Sequence, residues 1–197
     1  MEFKGRYTIP ASPEAVWDAL HDEAMLARTI PGCETVQKLS DTQFHASATL
    51  KIGPVKARFE GRVELAPRAP DAGFSHALTL KGEGKGGAAG FARGESDVRL
   101  ASEAGGKATV LEYDAKAIVG GRLAQLGQRL IDGAAKSLAD EFFAKFAAAM
   151  TPALADGGTA GLTARTVETE EGLAPQFWVA GLIGIVILLL IVFSIVL

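Results

Sequence analysis

Hydrophobic and polar positions alternate from the first residues of the chain. Phe3, Gly5, Tyr7 and Ile9 take turns with Glu2, Lys4, Arg6 and Thr8, which predicts a strand with one buried face. Ser12-Pro13-Glu14 then supplies an N-cap, a proline for the first helical position and an acid for the first turn. The helix it opens directs Val16, Trp17 and Leu20 toward a core. A second short helix is expected over 22–29, closed by Ile30-Pro31-Gly32. Period two returns over 43–52, where Phe44, Ala46, Ala48, Leu50 and Ile52 share a face. It continues over 55–65, where Val55, Ala57, Phe59, Gly61, Val63 and Leu65 alternate with Lys56, Arg58, Glu60, Arg62 and Glu64. Further strands are expected over 74–81, 92–100 and 109–119, completing an antiparallel meander with one wet face.

Over 122–150 the period lengthens to three and four. Leu123, Leu126, Leu130, Ile131, Ala134, Leu138, Phe142 and Phe146 form one stripe, with Arg129, Asp132, Lys136, Asp140 and Lys145 on the solvent side. Strand, two helices, several strands and one long helix make an α+β chain. A curved antiparallel sheet wrapped around the terminal helix buries both apolar faces, and such a grip commonly leaves a cavity. The inward set of 92–100 would be Ala92, Gly94, Ser96, Val98 and Leu100. Its small residues either let the helix pack close or leave room for a ligand.

The last 21 residues, 177–197, carry no charge, and sixteen of them are Ile, Leu, Val or Phe. As a helix they would span roughly 31 Å, one hydrocarbon core, and their summed transfer favours insertion by about 5–10 kcal/mol. Trp178 stands where an interfacial aromatic belongs. The expected organisation is a folded domain over 1–150, a flexible linker over 151–176 and a transmembrane anchor over 177–197. A flexible linker of this length reaches about 25–30 Å. Residues 1–150 hold 19 basic and 19 acidic side chains, and the linker carries the whole net charge of −3. A neutral domain on an acidic linker has no electrostatic footprint for nucleic acid. The alternating N-terminus lacks the apolar run of a signal peptide, so the expected topology is a C-terminal tail anchor with the domain facing the cytoplasm. A single cysteine, Cys33, and three unpaired histidines offer no metal-ligand spacing.

Four segments together carry a family resemblance: IPGCE at 30–34, KIGPVKARFEG at 51–61, GEGKGGAAGFARG at 82–94 and GGRLAQLGQRLIDGAAKSLADEFFAKF at 120–146. They resemble the CoxG family, named for the G subunit of carbon monoxide dehydrogenase, over roughly residues 1–148. The resemblance implies the helix-grip fold of the START/Bet v 1-like (SRPBCC) superfamily. It also implies a partner, a carbon monoxide dehydrogenase-type molybdenum hydroxylase recruited to the cytoplasmic membrane, and a non-covalent respiratory quinone, menaquinone or ubiquinone. The protein is then expected to be an accessory binding protein and not an enzyme. A pure anchor without a small ligand, and a polyketide cyclase-like enzyme, are the competing readings.

Gly82-Glu83-Gly84-Lys85-Gly86-Gly87 matches GxGxxG, but the residues after it read as another antiparallel strand and not as a phosphate-holding helix. It reads instead as an inter-strand loop, or as a mobile cavity lip with Gly86, Gly87 and Phe91 at the mouth. Pro31, Gly32 and Cys33 form a second lip, Cys33 being an unreactive packing thiol. The candidate cavity lies between sheet and helix, lined by Phe44, Phe59, Leu80, Leu123, Leu126 and Leu130. His76, placed on the inward face with Phe74 and Leu78, is either a satisfied core histidine or a hydrogen-bond donor to a polar ligand head. Asp140 and Glu141 read as solvation on the helix.

Overall fold

The computed structural model describes residues 1–151. Seven strands form one antiparallel sheet: β1 (Glu2–Ile9), β2 (Cys33–Lys38), β3 (Gln43–Ile52), β4 (Val55–Arg68), β5 (His76–Lys85), β6 (Phe91–Glu103) and β7 (Ala108–Gly120). Their order is β1-β7-β6-β5-β4-β3-β2, so β1 and β2, separated in sequence by α1 (Pro13–Leu20) and α2 (Glu23–Thr29), become the two edges. The long helix α3 (Gln128–Met150) closes the described chain. The expected transmembrane segment and linker lie outside the described residues. Among the described residues no helix is long and apolar enough to cross a membrane.

Local chemistry sets the element ends. The Ser12 hydroxyl accepts from the Ala15 amide at 3.3 Å, and the Asp22 carboxylate accepts from the Met25 amide at 2.6 Å, so both short helices begin at a side-chain cap. Within β3 and β4 the predicted inward faces are the buried ones, with Phe44 3% and Phe59 1% exposed. From α3, Phe142, Phe143 and Phe146 fill the space opposite, each at most 2% exposed. Phe143 stacks on Tyr7 of β1 with ring centroids 3.7 Å apart. Beside that stack, Tyr113 lies across Gly5, where a Cβ would collide with its ring.

Four expectations need correction. The long helix does not begin at 122. A single 3-10 turn, Ala124–Leu126, is followed by Gly127 with φ +81° and ψ 151°, a conformation essentially reserved for glycine. α3 starts only beyond it, and the break rotates the stripe. Ile131 is buried but Leu130 is 50% exposed. Second, the chain forms an edge strand, β2, that alternation did not reveal, because Val36 is its only buried residue. Third, Gly82–Lys85 are strand residues, and the glycine-rich lip is a tight 3-10 turn, Gly87–Ala89, closed by a 2.8 Å bond from the Gly86 amide to the Gly90 carbonyl. Fourth, Phe74 precedes β5 and meets the Arg99 guanidinium at 5.1 Å. Arg99 alternates with the inward Val98 and Leu100, so Phe74 sits on the outer face.

Candidate functional site

The predicted cavity residues divide into three groups. Phe44, Phe59, Leu80 and Leu123 are buried in the core at 1–3% exposure. Leu126 is half-buried and Leu130 faces outward. Phe91 is not at an inner mouth. It pairs directly with Gly120 across β6 and β7, and its ring occupies the space where a Gly120 Cβ would stand. It shares a face with exposed Arg93 and Glu95 and alternates with buried Ala92, so it covers the outer face of the sheet and spares a strand glycine from solvent. His76 stands at the rim. Its ring stacks on Trp17 at 5.0 Å and its Nδ1 lies 3.2 Å from the Ser75 hydroxyl. Its register with Leu100 keeps it on the inward face as expected, half-buried.

An apolar void of about 20 Å³ lies between the α1–α2 corner and the sheet, against Phe44 and Val63. It has room for about one water and lies away from α3. The small inward residues of β6 are packed into the core as well, Ala92 at 0% and Ser96 at 1% exposure. Among the described residues the Ser96 hydroxyl has no hydrogen-bond partner.

A larger concavity opens where α3 passes the turn between β3 and β4. This groove measures about 480 Å³ and is lined by Pro31, Gly32, Thr49–Lys51, Gly53 and the α3 residues Arg129, Leu130, Gly133, Ala134, Ser137, Leu138 and Glu141. Of the predicted site residues it unites Pro31, Gly32 and Leu130. Its α3 wall is not apparent from the sequence, because an unbroken stripe points Leu130 and Ala134 inward. Gly133, exposed in mid-helix, is the available signal. Glycine there weakens a helix by roughly 0.5–1 kcal/mol against alanine, and a Cβ at this position would meet open space. Gly32 is required by geometry: φ is +64° and a Cβ would collide with the Thr49 carbonyl.

Cys33 is half-buried beside the groove. Burial first, and the neighbouring Glu34 charge second, push its thiol above the ordinary range, as expected for a packing residue. Glu34 itself accepts from Thr49 at 2.7 Å and from Arg58 at 2.6 Å. These two hydrogen bonds hold its carboxyl below the usual range and tie the β2 edge to β3 and β4. On α3, Asp140 does more than face solvent: it accepts from the Tyr7 phenol at 3.3 Å and pairs with Lys136 at 2.8 Å. Glu141 pairs with Lys145 at 2.7 Å. Among the described residues no group of His, Cys, Asp or Glu is arranged to hold a metal ion.

A second concavity of about 700 Å³ crosses the outer sheet face. Register aligns Glu64, Lys81, Glu95, Lys116 and Glu2 in one row across five strands. Opposite charges on neighbouring strands give the sheet a polar, solvated face.

The family model for CoxG, the G subunit of carbon monoxide dehydrogenase, matches residues 5–151. Among solved structures, a conserved protein from Geobacillus kaustophilus superposes with a TM-score of 0.65 at 27% identity, covering 76% of this chain and 95% of that one. The Zhui aromatase/cyclase from Streptomyces sp. R1128 gives 0.55 at 10% identity, covering 80% of this chain and 99% of that one. A START superfamily protein from Mycobacterium smegmatis gives 0.53 at 11% identity, covering 76% and 96%. The last two likenesses concern the fold alone. A search of the curated proteins gives no match.

Proposed function

The chain belongs to the CoxG family of carbon monoxide dehydrogenase G subunits, and from that premise we propose that it is a membrane-tethered accessory protein with a START-like helix-grip domain. In this reading the domain holds a carbon monoxide dehydrogenase-type molybdenum hydroxylase at the cytoplasmic membrane. It also takes up a lipophilic quinone, menaquinone or ubiquinone, so that electrons reach the membrane pool. The observation that carries the ligand part is the α3 groove. Its volume of about 480 Å³ falls within the range of small-molecule sites, about 300–1,000 Å³. Its walls mix apolar Leu50, Leu130 and Leu138 with Ser137, Arg129 and Thr49, a combination suited to an isoprenoid chain with a carbonyl-bearing head. The uncharged segment 177–197 supports the tether.

A pure anchor is the second reading, and what favours it is that the apolar void between the α1–α2 corner and the sheet, about 20 Å³, is too small for a quinone ring. The two readings share one test. Deleting 177–197 should release both this protein and the hydroxylase from the membrane fraction while the domain keeps its melting transition. Persistent attachment of the hydroxylase in high salt would contradict the tether.

A further inference from the structure

Three turns meet at one end of the molecule. The β3–β4 turn brings Gly53 beside the start of α3, where a Cβ at Gly53 would stand 4.0 Å from the Leu130 side chain. The β5–β6 turn joins the same end, where the Leu123 amide donates to the Ala89 carbonyl at 2.9 Å. The segments forming this end, 51–57, 85–91 and 119–131, contain Lys51, Lys56, Lys85, Arg122 and Arg129 and not one Asp or Glu. In a domain whose charges sum to zero over residues 1–150, that is a concentration of one sign. The nearest acids are engaged or set back. Glu34 is held by Arg58 and Thr49, Asp132 is half-buried on α3, and Glu60 sits across the strand from Lys85.

Between these cations the surface is apolar. Leu130 is 50% exposed, Pro54 and Ala88 are exposed, and Val55 and Leu126 are half-exposed. Cations interleaved with protruding apolar side chains on loop tips suit an interface where phosphates lie above acyl chains. A rigid acidic protein surface would satisfy the charges but not Leu130 and Pro54.

We propose that this end seats on an anionic bilayer surface, with Lys51, Lys56, Arg122 and Arg129 on lipid phosphates and Leu130 entering the headgroup layer. The contact is additional to the C-terminal tether and requires no partner enzyme. It would place the mouth of the α3 groove, where Lys51, Gly53 and Leu130 lie, against the lipid.

The experiment uses the full chain with Cys33→Ala and Gln125→Cys, nitroxide-labelled at position 125 in the exposed 3-10 turn, on two kinds of vesicle. One is pure phosphatidylcholine; the other contains one quarter phosphatidylglycerol. The expected result is that accessibility of the label to an aqueous nickel chelate falls roughly tenfold on the anionic vesicles. It should recover in about 1 M salt, where the screening length shrinks to about 3 Å. The triple variant Lys51→Glu, Arg122→Glu, Arg129→Glu should abolish the shielding while the protein still floats with the vesicles. Equal accessibility on both vesicles overturns the proposal. Shielding that appears only on adding the molybdenum hydroxylase also overturns it and assigns the surface to protein docking. If the chain fails to float with phosphatidylcholine, the tether fails separately, and shielding on anionic vesicles still supports this contact.

Discussion

Tyr7 lies between Phe143 and Asp140, and its phenol is pushed far above its ordinary range. Burial is the main cause, followed by Tyr113 and the Asp140 charge. The folded state therefore keeps a proton that the unfolded chain releases near pH 10, about the ordinary tyrosine value. The stability is present below that pH and is lost as pH rises beyond it. Tyr7→Phe cannot ionise, so denaturant titrations between about pH 9 and 11 should show a smaller loss than in the parent. Equal losses would remove Tyr7 as the cause. Ser96 gives the opposite kind of prediction. Its hydroxyl is buried without a partner among the described residues, so Ser96→Ala in the ligand-free domain should gain on the order of 1 kcal/mol, read as a higher melting temperature. The inward residues of β3 and β4 were legible in the sequence because alternation runs unbroken through both strands. Phe74 and Phe91 were not. Phe91 opens β6 and Phe74 lies just outside β5, where alternation cannot say whether a large ring turns inward or covers a neighbour. The informative sign for Phe91 was Gly120, a glycine whose space only a cross-strand ring could fill.

Among the elements, α3 departs most from its sequence pattern. The apolar period runs through 122–150 without interruption, yet Gly127 holds a backbone conformation that no L side chain adopts comfortably. Gly127→Ala would meet nothing within 4 Å, so the whole effect is backbone strain. It should destabilise the domain by about 1–3 kcal/mol and shift the unfolding midpoint accordingly. An unchanged midpoint would mean that the turn and helix can fuse into one. β2 escaped notice for a different reason. An edge strand over a corner buries little, and Val36 alone carries its inward face. What fixes β2 is polar: the Glu34–Arg58–Thr49 contacts, the 2.8 Å Thr35–Ser47 bond and the Lys38 amide donating to Glu23 at 3.0 Å. Such long-range pairings leave no period in a sequence.

At the scale of the whole molecule, the sheet-and-helix architecture follows from periods alone, and the CoxG resemblance is met by the family match. The position of the opening was not legible. The sequence pointed to a cavity beneath α3; Phe142, Phe143 and Phe146 are buried on that side, and the groove described among residues 1–151 lies beside the helix. Nothing in a stripe of apolar residues distinguishes a helix packed tight from one leaving a gap, since both need the same residues. The groove is nevertheless open to a direct test through Gly133, which lines it and has free space at its Cβ position. Gly133→Trp should occupy the groove without strain, and replacing a mid-helix glycine should keep or raise the melting temperature. The decisive measurement is native mass spectrometry of the domain over 1–151 after incubation with quinone-containing membranes, parent against Gly133→Trp. The account predicts a quinone or other isoprenoid lipid bound to the parent and lost from the folded variant. Equal loading of both proteins, or an empty parent, would contradict a ligand site in the groove.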